Sequence, residues 1–293
     1  MSFVISTDTS ANLPTAELQW HQLYLLPFSY IVNEVEHQCL DLSAFDGNAY
    51  YEMLRHTPAS TSMISMDQYR QLWEPLLEEG HDILHVGMSS GISGAYQSAV
   101  MAARELREEY PQRRLVVFDT RAASLGEGIQ VLHAATCREA GYTLDETVRE
   151  LAELRPRIRQ IFTVDDLMHL RRGGRVSGVA AAVGTALRIK PLLKGDEAGR
   201  IVVFGKVQGR KRSVRALADN FAANAELLGR WPIGIAHAGC RDEALALAAM
   251  LKEYDPKARI ILVAYEPVTG SHVGPGALAM FYVAKEPWSS AIC

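Results

Sequence analysis

In the first half of the chain three short apolar runs each stop at small or polar residues. Phe3-Val4-Ile5 runs into Asp8-Thr9-Ser10, Ile83-Leu84-His85-Val86 into Gly87, and Leu115-Val116-Val117-Phe118 into Asp119-Thr120. Helical periodicity fills the intervals: residues 67–79, 95–110 and 124–140 read as helices, the second with Val100, Ala103 and Leu106 at three-residue spacing. Strands that are apolar on both faces and alternate with helices argue for a parallel sheet covered on both sides. In open sheets of this kind ligands bind beyond the carboxyl ends of the strands, where the three polar turns are expected to gather.

The amphipathic helix begun at Thr143 must end near Arg155-Pro156-Arg157, because proline disfavours helical geometry in the residue before it. A chain of 293 residues also exceeds what one hydrophobic core comfortably fills. We therefore expect two α/β domains, residues 1–158 and 159–293. In the second, residues 160–164, 201–207, 233–236 and 260–264 read as strands and 214–228 and 242–254 as helices. Glycines punctuate three further stretches there, 171–175, 184–191 and 270–276.

A formal charge of −4 offers no electrostatic case for nucleic acid. The longest apolar stretch, residues 178–187, ends at Arg188, short of the roughly 18 to 20 residues of a membrane span. The N-terminus meets Asp8 before a signal-peptide core forms, so a cytoplasmic location is expected. Cys39, Cys137, Cys240 and Cys293 are scattered singly and read as reduced, buried thiols. The nine histidines lack paired metal-ligand spacing, so no metal site is expected, and His85 and His237 read as packed strand histidines.

The richest segment is Gly87-Met88-Ser89-Ser90-Gly91-Ile92-Ser93-Gly94, which joins a strand to a helix. Its amides and the hydroxyls of Ser89, Ser90 and Ser93 converge on a helix N-terminus, which favours an anion. Ser93 alone would suffice as an N-cap, but three serines and three glycines exceed what a cap requires. The same residues match the G-x-S-x-G elbow of serine hydrolases, with Ser89 as nucleophile and Asp119 and His272 in triad order. Against that alternative stand a helix start near Ser93 and few strands upstream. A phosphate-binding enzyme built on the turn lacks a P-loop lysine or dinucleotide fingerprint. Thr61 and Ser62 lie in a second hydroxyl cluster, residues 59–65, whose simpler reading is a loop with Ser65 or Asp67 capping the next helix. His272 and Gly274 sit in what reads as a rigid Gly/Pro loop, where a histidine donates to an anion or exchanges a proton near neutral pH. The double glycine before Arg175 reads as a tight turn aiming a guanidinium, suited to a carboxylate or phosphate.

Taken in order, these segments resemble the DegV family of bacterial fatty-acid-binding proteins. The resemblance rests on Thr7-Asp8-Thr9-Ser10, Thr61-Ser62, residues 89–99, Asp119-Thr120, residues 167–177, Ile189-Lys190-Pro191, His237-Ala238-Gly239 and His272-Val273-Gly274-Pro275-Gly276. Thr9 and Thr120 stand where serine is usual, Ala95 where threonine is common, and residues 286–293 extend past the expected last helix. The resemblance implies a Rossmann-like N-terminal parallel-sheet domain and a C-terminal α/β domain with a mixed sheet. It implies one long-chain fatty acid, such as palmitate or stearate, in a buried tunnel. The head-group ligands would be the Thr61 and Ser93 hydroxyls and the Gly94 N–H, with Ser62, His272 and Gly274 close by and Arg175 at the mouth. It further implies no catalytic residue, no cofactor and a monomeric carrier with only transient membrane contact. Its partner would be an ATP-dependent fatty acid kinase, which converts the bound acid to an acyl phosphate for phospholipid metabolism.

Overall fold

The computed structural model describes residues 3–176, 189–227 and 229–288. The apolar stretch 178–187, most of the glycine-punctuated stretch 184–191, Leu228, Cys293 and the end of the C-terminal tail lie outside the described residues. The chain divides into two compact units, one formed by Met1–Phe45 with Ala59–Arg155 and the other by Asp46–Pro58 with Pro156–Cys293.

The first unit carries strands β1 (Phe3–Asp8), β2 (Tyr24–Leu26), β3 (Ser29–Val32), β4 (Val35–Gln38), β5 (Ser60–Ser62), β6 (Asp82–Gly87) and β7 (Leu115–Asp119). Four of them form a parallel sheet in the order β2-β1-β6-β7; the three apolar runs are its β1, β6 and β7, parallel as expected, and β2 is a fourth strand that they did not indicate. Helices Met66–Glu78, Ala95–Glu109, Leu125–Glu139 and Leu144–Leu154 belong to this unit. Local chemistry starts two of them. Ser65 and Gln68 make a reciprocal capping box at the first, and Thr143 and Glu146 make one at the last. The first helix then buries Tyr69, Trp73, Leu76 and Leu77, a stripe at helical spacing.

Strands β4-β3-β5 form a separate antiparallel sheet. The segment around Thr61 and Ser62, read from sequence as a loop, is therefore a strand, and Ser65 does cap the helix that follows. Its three residues are too few to show an alternation.

The second unit holds β8 (Ile158–Thr163), β9 (Ile189–Gly195), β10 (Ile201–Gln208), β11 (Ile233–His237), β12 (Ile260–Ala264) and β13 (Leu278–Val283) in the order β10-β9-β8-β13-β11-β12. Only β11 and β12 pair in parallel, so this sheet is mixed. Helices Arg210–Asn224 and Arg241–Tyr254 contribute Leu217, Phe221 and Leu247 to a core shared with Ile161, Ile235 and Met280 of the sheet. Residues 46–58 join this unit through helix Gly47–Leu54. The Tyr51 hydroxyl donates to the Tyr265 carbonyl at 2.7 Å, and Tyr50 bonds the Ser271 hydroxyl at 2.7 Å. A side chain on Gly270 would collide with the Tyr51 hydroxyl, which explains glycine there.

No helix among the described residues is long and apolar enough to cross a membrane. Cys39, Cys137 and Cys240 are free thiols. Cys137 is buried as expected, whereas Cys39 and Cys240 are only partly so, because each lies where an element begins or ends.

Candidate anion-binding site

The carboxyl ends of β1, β6 and β7 lie side by side, and the turn after β6 is fastened to both neighbours. Asp8 at the end of β1 accepts from the Met88 amide at 3.1 Å and, through its other oxygen, from Ser10 N–H at 2.9 Å. Asp119 at the end of β7 accepts from the Ser90 amide at 3.2 Å and the Ser90 hydroxyl at 2.6 Å. The Thr120 hydroxyl donates to the Gly87 carbonyl at 2.8 Å, and the Ser89 amide to the Ala122 carbonyl at 2.8 Å. The polar residues that end the apolar runs thus gather as the sheet rule predicts.

Helix Ala95–Glu109 starts directly after the turn, from Gly94. Among the described residues it has neither a side-chain cap nor an acid in its first turn, so the positive end of its dipole stays unneutralised. Ser93, expected as a possible cap, instead accepts the Ala95 amide through its hydroxyl at 3.2 Å, one position outside the helix. A side-chain carbon on Gly94 would stand 2.9 Å from the Met63 sulfur. Met63 directly follows Thr61-Ser62, so β5 delivers this hydroxyl segment to the turn. Thr61 is half-buried, and Ser62 is exposed.

Ser89 is fully buried, and its hydroxyl accepts the Gly91 amide at 3.0 Å, while Asp119 is engaged by Ser90. That geometry braces a turn and does not present an exposed nucleophile. Glu127, which sequence reasoning passed over, is buried behind the turn; its carboxyl accepts from the Ser10 hydroxyl at 2.6 Å and the Thr7 hydroxyl at 3.2 Å. Its only sequence signal is an acid in the first turn of a helix, which ordinarily marks a solvated end.

In the second unit, helix Met168–Arg172 ends at Gly173, and Gly174 follows at φ +69°. Arg175, half-buried, folds back so that its guanidinium donates to the Gly173 carbonyl. His272 belongs to the last turn of helix Pro267–Val273, which corrects the reading of a Gly/Pro loop. Glu266 caps this helix by accepting the Val268 amide at 2.7 Å and the Thr269 amide at 2.5 Å. Gly274 ends it at φ +77°, where a side chain would also strike the His169 ring. Gly173 abuts His272 Nδ1, so Gly173, Arg175 and His272 form one group. Burial, and then the Arg175 charge, push His272 down to about 4. It is neutral at pH 7, which corrects the expected proton exchange near neutral pH. His85 and His237 are buried strand histidines, as read from sequence.

Together these features define a two-unit α/β protein whose parallel sheet ends in a Ser/Gly turn at an uncapped helix N-terminus. A family model described as "Uncharacterised protein, DegV family" matches residues 2–285, and the chain belongs to the DegV family. It is 36% identical to a DegV domain-containing protein of Clostridium perfringens, over 97% of this chain and 99% of that one. Among solved structures it is similar to a fatty acid binding DegV family protein from Streptococcus agalactiae, at 30% identity and a TM-score of 0.84. That match covers 98% of this chain and 100% of the other. A structure of DegV from Bacillus subtilis, described as a fatty acid binding protein, matches at 28% identity and a TM-score of 0.82. It covers 97% of this chain and 100% of its own.

Proposed function

We propose that this protein binds one long-chain fatty acid, its acyl chain in a buried tunnel and its carboxylate held by the Thr61 and Ser93 hydroxyls and the Gly94 N–H. The reading is carried by one observation: the uncapped turn at Gly94 lies in a chain similar along nearly its whole length to proteins described as fatty acid binding. Physical chemistry supports the division of labour. Some fourteen methylenes at about 0.8 kcal/mol each amount to about 11 kcal/mol of burial before entropy costs, so the tail supplies affinity. A carboxylate resists desolvation unless it is hydrogen-bonded, so hydroxyls and an N-terminal amide keep the head group from opposing entry. A single carboxylate held this way needs no large basic surface, which fits the net charge of −4.

In this reading Ser62, His272 and Gly274 complete the head-group environment. Arg175 stands at the mouth and presents the carboxylate to an ATP-dependent fatty acid kinase, which makes the acyl phosphate. The protein is a carrier, and no residue of its own is catalytic. Lipid mass spectrometry of native material tests it: a co-purifying long-chain fatty acid is expected, depleted in Thr61→Ala and Ser93→Ala. Unchanged lipid content in both folded variants overturns the head-group assignment. A phosphorylated ligand, or labelling of Ser89 by a fluorophosphonate, overturns the carrier reading.

A further inference from the structure

Behind the Ser/Gly turn lies a buried acidic pair. Asp8 and Glu127 are both buried, their carboxyl groups are hydrogen-bonded to each other, and neither has an ion-pair partner among the described residues. Helix Leu125–Glu139 gives up its own cap for this arrangement. Ser124 at its start sits at φ 51° and ψ −144° and makes no side-chain cap, and Glu127, placed where a capping-box acid would reach back, turns instead to Thr7 and Ser10. The helix also packs closely against the segment that follows β1. A side chain on Gly128 would stand 2.6 Å from the Ala11 carbonyl, so the two backbones are in direct contact.

Two carboxylates buried together without a cation cannot both ionise. Burial raises Asp8 against the Ser10 hydroxyl and two amide donors that favour its charge, whereas burial and the Asp8 charge hold Glu127 well above the usual carboxylate range. The proton therefore resides on Glu127 and points at Asp8, which keeps its negative charge for the Ser10 and Met88 amides. Among the described residues the titratable groups facing the pair are Tyr69, from helix Met66–Glu78, and His85, from β6. Burial raises the Tyr69 phenol and depresses His85 to about 3, so both are neutral. Asp119 reaches the same turn through Ser90.

We propose that Asp8 and Glu127 share a single proton and act as positioning residues for the Ser/Gly turn, and that loss of this proton weakens the turn's hold on a carboxylate. With the proton in place, Asp8 anchors the Met88 amide and the turn keeps its shape. When it departs to solvent, a second buried negative charge appears behind an anion site. The proposal rests on the fatty-acid reading for its ligand, but the shared proton itself does not.

The test uses the full-length protein, Glu127→Gln and Ser10→Ala, with cis-parinaric acid as a fluorescent probe titrated from pH 6.5 to 10 and thermal unfolding followed over the same range. Wild-type affinity is expected to fall about tenfold with rising pH. The Glu127→Gln profile is expected to be flat, because its amide donates to Asp8 where the proton did. Ser10→Ala, which removes a hydroxyl donor that favours the charged form of both carboxyl groups, moves the transition to higher pH. A flat wild-type profile, a Glu127→Gln profile that tracks wild type, or an unmoved transition in Ser10→Ala overturns the proposal. Failure of the fatty-acid reading is seen separately: the probe then does not bind at pH 6.5, while the alkaline loss of thermal stability, absent in Glu127→Gln, still reports the shared proton.

Discussion

The substitution Gly87→Ala tests the geometry of the turn more sharply than any truncation. Gly87 ends β6, and a methyl group there would stand 2.5 Å from His85 Nε2 and 3.4 Å from an Asp8 oxygen. Ordinary contact begins near 3.4 Å, so one partner must move by about 1 Å. His85 is poorly placed to yield. It is buried, bonded through Nδ1 to the Ser6 hydroxyl at 3.1 Å, and packed edge-on against both Tyr69 and Trp73, each with its ring centroid 5.3 Å away. Overpacking of a rigid interior costs about 1–3 kcal/mol. Backbone relief would pull the next residue's amide from Asp8, a charge-assisted bond worth about 1.5–3 kcal/mol. A destabilisation of about 3 kcal/mol is expected, or roughly 6 to 12 °C in Tm. The assay is thermal unfolding followed by circular dichroism, repeated in a His85→Ala background. There the added methyl should cost under about 1 kcal/mol, a coupling between neighbours that a double-mutant cycle isolates. A Tm within about 1 °C of wild type for Gly87→Ala, or an equal cost in both backgrounds, refutes the reasoning.

Two further predictions concern stability. His272 has a folded-state pKa of about 4 against an ordinary 6.5, so the unfolded chain binds the extra proton between these values and stability falls as pH drops through that window. Tm measured from pH 7 to 4 should decline less steeply in His272→Gln, and parallel declines would show that the ring does not titrate as described. Ser65→Ala, which removes one half of the capping box on helix Met66–Glu78, should cost about 1 kcal/mol by urea denaturation. No change in the urea midpoint would show that the cap contributes nothing.

How much was readable in advance depended on whether the physics was local. The three apolar runs predict β1, β6 and β7 because strands buried on both faces leave no choice of residue type, and the polar turns behind them mark the site. Residues β-paired at long range were another matter. Strand β4 is exposed throughout and β5 has three residues, so neither carries a pattern, and the role of Thr61 as strand rather than loop emerges only from its pairing with Tyr30. Strand β13 is apolar at every position, a run too short and uniform to tell a strand from a buried helix segment, so only its antiparallel pairing with β8 and β11 places it.

By itself, then, the sequence determined the βα units, the capped helices and the chemistry of the Ser/Gly turn, since spacing and capping act within a few residues. Tertiary structure alone decided that residues 46–58 belong to the second unit, through Tyr50 and Tyr51 bonding to residues more than 200 positions away. It also decided that Glu127 is a buried acid: the Ser10 hydroxyl that holds it lies 117 residues away, and only folding removes the water that would otherwise ionise it.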